Sequence, residues 1–123
     1  MDTLQTILQS LNQLHQEGDS GNFVVFNAPG EKTAYVQIAA GKGSSRFWLE
    51  AFTPKHQARS EQSQLESLGW THPRHGGMHN YYIEKQGVSD QHFPEIAQLV
   101  ESTLTQVFGY DQTQPLSIEL VLQ

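Results

Sequence analysis

The sequence predicts an α+β fold: an antiparallel sheet of about five strands with helices packed on one face, in the order α-β-β-β-α-β-α-β. Three observations predict it. Apolar residues recur at three-and-four spacing near both ends of the chain, as one face of a helix requires. Between residues 23 and 53 the period drops to two, and short turns separate the runs. The last residues alternate again, as a half-buried strand does.

The first helix is expected over residues 2–17, where Leu4, Ile7, Leu8, Leu11 and Leu14 share a face and Gln, Asn and Ser fill the other. Asp2 is placed to cap it, Gln5 to answer in a capping box, and Gly18 to end it. Phe23 to Ala28 is rich in strand formers. Pro29-Gly30-Glu31-Lys32 turns into a second strand, Thr33 to Ala40, and Gly41-Lys42-Gly43-Ser44 turns into a third, Arg46 to Thr53. Ser60 can cap a short helix through Leu65 and Leu68, closed by Gly69 and followed by Trp70. A polar loop, Thr71 to Gly77, leads to a fourth strand at His79 to Glu84. The longest helix, 93–108, buries Phe93, Ile96, Ala97, Val100, Leu104, Val107 and Phe108, with Pro94 in its first turn and Gly109 at its end. In the final strand Leu116, Ile118, Leu120 and Leu122 alternate with Ser117, Glu119 and Val121.

Composition bounds the function. A chain of 123 residues fits one domain, 1–123, without repeats or linkers. Seven basic against thirteen acidic residues give a net charge of −6, which repels nucleic acid and anionic membranes alike. Without cysteine there is neither a disulfide framework nor thiolate chemistry. Met1-Asp2-Thr3-Leu4 lacks the positive stretch of a signal peptide, and no run is long and apolar enough to span a bilayer, so a cytoplasmic location is expected.

The strands hold more aromatic residues than one buried face needs. Val36, Ile38 and Ala40 alternate with Tyr35, Gln37 and Ala39; Phe47, Leu49 and Ala51 with Trp48, Glu50 and Phe52; Tyr81 and Ile83 with Asn80, Tyr82 and Glu84. Assigning the apolar sets to the helix side leaves Tyr35, Gln37, Trp48, Glu50, Phe52 and Tyr82 on the other, joined by Glu119. Rings give large contact area at few torsions, and amide or carboxylate tips can bond an extended backbone. This open face, or the strand edge beside it, is therefore the expected site for a peptide or protein partner. Aromatic residues are also simply good strand residues, and dimerisation across the same face would hide the rings equally well.

Catalytic material is thin. His72, His75 and His79 lie close together, yet Pro73, Gly76 and Gly77 interrupt helical spacing and no acidic residue completes the set. A metal-dependent enzyme built on that loop ranks third, after a non-catalytic binding module and a dimerising adaptor; no cofactor is expected. Gly41-Lys42-Gly43-Ser44 joins two strands and does not open a helix, so it is a hairpin turn and not a phosphate loop. Glu50 and Glu119 could approach on one face, with a solvated pair as the simpler expectation.

Tyr35-Val36-Gln37-Ile38, Trp48-Leu49-Glu50-Ala51, Leu65-Glu66-Ser67-Leu68-Gly69-Trp70 with Pro73 after it, Asn80, and the helix carrying Ile96-Ala97, Thr103-Leu104 and Val107-Phe108-Gly109 follow one another in an order and spacing that resembles the TY-Chap domains. That group relates type III secretion chaperones to YbjN-like proteins. The resemblance covers roughly residues 33–109, with the final strand in the expected place. It implies a chaperone-like α+β fold that binds peptides without a catalytic centre, often as a dimer. Tyr35, Gln37, Trp48 and Glu50 match the pattern, as do Leu68, Gly69 and Trp70, for which a structural role is expected.

Protonating all six histidines would bring the formal charge from −6 to 0. Solubility should therefore fall as pH approaches 5.4, which static light scattering across that range would reveal as rising association.

Overall fold

The computed structural model describes residues 3–17, 22–28, 34–40, 45–52, 59–72, 80–111, 113 and 116–122. The expected caps Asp2 and Gly18, the turns at 29–32 and 41–44, and most of the histidine loop, 73–79, lie outside the described residues. Helix α1 is Thr3–Glu17, followed by strands β1, Phe23–Ala28, β2, Ala34–Ala39, and β3, Phe47–Phe52. Helix α2 is Arg59–Ser67, β4 is Tyr81–Lys85, α3 is Phe93–Ser102 and β5 is Ser117–Val121. The fold is α+β, as the sequence predicts.

The strands form one antiparallel sheet in the order β4-β3-β2-β1-β5. Two successive hairpins build β1 to β3, and β4 adds outside β3. β5 returns to the far edge, beside β1. From the pairings, β4 and β5 run in the same direction, so no tight turn can join them and the chain must cross the sheet. The helical stretch 90–107 makes that crossing. At about 1.5 Å per residue it reaches roughly 25 Å, enough to pass over four strand spacings, about 19 Å.

The buried inward side chains of β1, β2 and β3 are apolar, and together they form one cluster. Val24 and Phe26, Val36 and Ile38, and Phe47 and Leu49 are fully buried. They meet Ile7, Leu11 and Leu14 of α1 and Phe93, Ile96, Ala97 and Val100 of α3. Residues at three-and-four spacing lie along one helix stripe, so each helix offers only that stripe to the sheet. Leu4, Leu8 and Leu99 pack at its margin. His15 reaches over the margin of α1 and meets Phe93 edge-on, with ring centroids 5.3 Å apart.

Element ends depart from expectation for local reasons. Ser60 is the second residue of α2 and not its cap, a two-residue shift common at helix starts. β4 begins at Tyr81 and includes Lys85, which pairs with Phe47; pairing overrides the weak strand preference of lysine. Before α3 the chain makes a tight turn of 3-10 helix, Asp90–His92. The Ser89 N–H donates to His92 Nδ1 at 3.0 Å, so the imidazole is the acceptor that begins the helix. After Ser102 the helix widens to a π turn, Thr103–Val107, in place of the continuous helix to 108. Tyr110 N–H then reaches back to the Leu104 carbonyl at 2.8 Å, with Gly109 at φ +72° turning the chain.

The Leu-Gly-Trp segment closes α2 as a Schellman motif. Trp70 N–H bonds the Leu65 carbonyl at 3.0 Å and Gly69 N–H the Glu66 carbonyl at 3.0 Å. Gly69 takes φ +104°, a conformation that side chains oppose. Trp70 is thereby driven into the core, where its indole N–H donates to Thr103 Oγ1 at 2.9 Å. The Thr103 hydroxyl donates in turn to the Leu99 carbonyl at 2.8 Å. This buried chain of bonds fastens α2 to the crossing helix.

Thr103→Val keeps the shape and removes the acceptor, leaving the buried indole N–H unpaired. It should cost about 1–3 kcal/mol in urea unfolding; no measurable change would show that the bond contributes nothing. Tyr81 is also buried, and its hydroxyl has no hydrogen-bond partner among the described residues. Burial, and then the charge of Glu66, raise its pKa above the ordinary 10.0. The folded state therefore keeps this proton where the unfolded chain loses it, and stability falls as pH rises past the ordinary tyrosine value. Ultraviolet titration should show a late-ionising phenol, coincident with alkaline unfolding and absent in Tyr81→Phe.

Candidate functional site

On the face away from the helices, each residue of β2 and β3 alternates with a buried one and is itself half-buried. The register lays these outward residues in three rows across the sheet. One row runs Glu84, Trp48, Ala39, Phe23 and Val121. The middle row is Tyr82, Glu50, Gln37, Val25 and Glu119. The third is Phe52, Tyr35, Asn27 and Ser117. All six residues expected at the site, Tyr35, Gln37, Trp48, Glu50, Phe52 and Tyr82, thus share one face and are immediate neighbours on β2, β3 and β4.

The rings are paired across strands. Trp48 lies nearly parallel to Tyr82, with centroids 5.1 Å apart at an interplanar angle of 9°. Tyr35 stacks on Phe52 at 5.2 Å and 27°. Each stack joins neighbouring strands and contributes about 0.5–1.5 kcal/mol beyond its buried area. Between the two stacks lie Glu50 and, directly opposite it, Gln37. Half the face is thus an aromatic and polar frame.

The other half is a smoother apolar floor that sequence reasoning did not single out: Phe23, Val25, Ala39 and Val121. The run Phe23-Val24-Val25-Phe26 is apolar at every position and gives no alternation from which to read its faces. Only the pairing with β2 shows that Val25 lies outward beside Gln37. Val25 is nonetheless only 8% exposed.

The charges divide sharply. Glu84 accepts hydrogen bonds from Gln86 at 2.8 Å and Arg46 at 3.3 Å. The Gln86 bond, followed by the Arg46 charge, holds its carboxyl below the usual value. Glu50 and Glu119 share the middle row but stand three strand spacings apart, about 14 Å. They do not approach, and among the described residues neither has a hydrogen bond or ion pair. They are therefore solvated acceptors and not an acid–base couple.

The two sheet edges differ. Beside β4, Thr71 and Tyr82 exchange backbone bonds at 2.9 and 3.1 Å. β5 has no described strand beyond it. On the helix side, a cavity of about 210 Å³ is lined by Lys85, Gln86, Val88, His92, Glu95 and Ile96. It is smaller than the usual ligand pocket of roughly 300–1,000 Å³. Of the histidine loop, only His72 is described. It is exposed and stands edge-on to Tyr81 at 5.3 Å, and no group of metal-binding side chains forms among the described residues. No described helix is long and apolar enough to cross a membrane.

No curated protein and no solved structure matches the chain. A family model does, from residue 4 to residue 120, which extends the likeness seen at 33–109 to the first helix and the last strand. The chain belongs to the TY-Chap3 family, described as T3SS (YopN, CesT) and YbjN peptide-binding chaperone 3.

Proposed function

We propose that the protein is a non-catalytic, chaperone-like module of the cytoplasm that holds an extended polypeptide on its outer sheet face, with Tyr35, Gln37, Trp48, Glu50, Phe52 and Tyr82 as the contact residues. The observation that carries this reading is the pair of cross-strand ring stacks left half-exposed on a face that α1, α2 and α3 do not cover. Family membership supports a peptide client. The face offers what an extended segment needs: rings for apolar side chains, and amide and carboxylate groups for backbone and polar ones. The cavity by His92, at about 210 Å³, is smaller than the usual ligand pocket. The sheet edge at β5 offers backbone bonds alone, so it serves as an extension of the face. One folded unit, 1–123, suffices for this role.

Trp48→Ala tests the reading. Removing a central aromatic anchor should weaken a bound peptide by about thirtyfold or more. It should lower stability by only about 1–2 kcal/mol, because the ring packs on Tyr82 and not in the core. Backbone amide shifts from an isotope-labelled sample should move on β2, β3 and β4 when an apolar decapeptide is added. Shifts confined to the helices would refute the assignment. Scattering-detected size exclusion separates a monomer with a free face from a dimer that hides the same rings.

A further inference from the structure

The outer face is not neutral ground for a peptide. Its described charges are Glu50, Glu84 and Glu119 against Arg46, and Arg46 is already bonded to Glu84. Glu50 is placed differently from the other two carboxylates. Along β3 it lies midway between Trp48 and Phe52, about 6.7 Å from each at the backbone. Across the strands it faces Tyr82 on one side and Gln37 on the other. The stacks, at 5.1 and 5.2 Å, join Tyr82 to Trp48 and Tyr35 to Phe52, so all four ring-bearing positions border that of Glu50 in the register.

Such a setting has a defined complement. A carboxylate accepts two parallel N–H bonds from a guanidinium, and the Gln37 amide oxygen can take a third. Aromatic faces attract a cation within about 6 Å of their centroids, and a planar cation stacks on them where an ammonium cannot. We infer that the face is a slot for an arginine side chain of the client, seated on Glu50 between the Trp48–Tyr82 and Tyr35–Phe52 stacks. The inference rests on the proposed binding face and names the chemistry of what binds there. Glu119, about 14 Å along the same row, matches a second basic residue four positions away in an extended segment, at about 3.3 Å per residue. A second copy of this chain is the wrong occupant. Face-to-face pairing would bring together two surfaces that each carry Glu50 and Glu119, in a chain already at −6.

The test begins with a random decapeptide display library panned against the intact protein at neutral pH and moderate salt. A recovered peptide is then synthesised with its arginine intact, replaced by lysine, and replaced by citrulline, which keeps the shape and loses the charge. The arginine peptide should bind roughly tenfold or more tightly than either analogue. Glu50→Gln should erase that difference, while Glu95→Gln, on the exposed side of α3, should leave it. Equal binding of the three peptides, or equal loss with Glu95→Gln, would overturn the arginine slot. If those same peptides still shift the Trp48 indole signal, the binding face itself stands. Recovered peptides that leave the Trp48 signal unmoved would overturn both readings. The citrulline comparison leaves the protein unaltered, so a folding defect in a variant cannot hide the answer.

Discussion

Because β4 and β5 run the same way at opposite edges of the sheet, the chain must cross all five strands between them, and it does so on one side only. That crossing decides what each strand residue becomes. Side chains beneath α3 and α1 lose their water and must be apolar, so Phe26, Ile38, Leu49 and their neighbours form the core. Side chains on the other side meet no described helix and can be polar, charged or aromatic without cost to the core. A single shift of register would exchange the two sets, which is why the alternation on β2 and β3 is so regular.

The crossing helix is held by more than its apolar stripe. Trp70 sits at the end of α2, and its indole proton is fixed to the same Thr103 hydroxyl at which α3 widens into a π turn. Gly109, at positive φ, then turns the chain, and Tyr110 N–H ties the turn to the Leu104 carbonyl. Here the Leu-Gly-Trp segment has a structural explanation: the glycine permits the turn, the turn directs the indole inward, and the indole ties one helix to another. None of these residues reaches the outer face, so this piece of the family pattern reports on the scaffold.

Most of the architecture was legible because two periods, 3.6 and 2, each leave a clear trace when only one face is buried. Tyr35-Val36-Gln37-Ile38 and Trp48-Leu49-Glu50-Ala51 show the alternation openly, and all six expected contact residues fall on one face. Legibility failed where a strand is apolar on both sides. Phe23-Val24-Val25-Phe26 gives no phase, so the floor made by Phe23 and Val25 emerged only from pairing with β2. The strand order was equally hidden, since nothing local in Ser117–Val121 says that it lies beside β1 and not beside β4. The wide turn at Thr103 and the imidazole acceptor at His92 depend on tertiary contacts and on a side-chain geometry that spacing does not encode.

The two ring stacks admit a plain structural role, and that role must be weighed. Cross-strand aromatic pairs strengthen a sheet wherever they occur, so Trp48–Tyr82 and Tyr35–Phe52 would be useful even on a surface that touched nothing. What stability alone does not explain is the carboxylate between them. A valine at position 50 would suit a β-strand flanked by rings better than a glutamate does, and an arginine or lysine at position 37 would neutralise it. The chain instead places Gln37 there, while the nearby Glu84 is matched with Arg46 and Gln86. One carboxylate on the face, Glu84, is thus satisfied by its neighbours, and Glu50, set among the ring positions, has no such partner among the described residues. That asymmetry, more than the presence of aromatic residues, is what favours the proposed binding surface over a merely well-made strand.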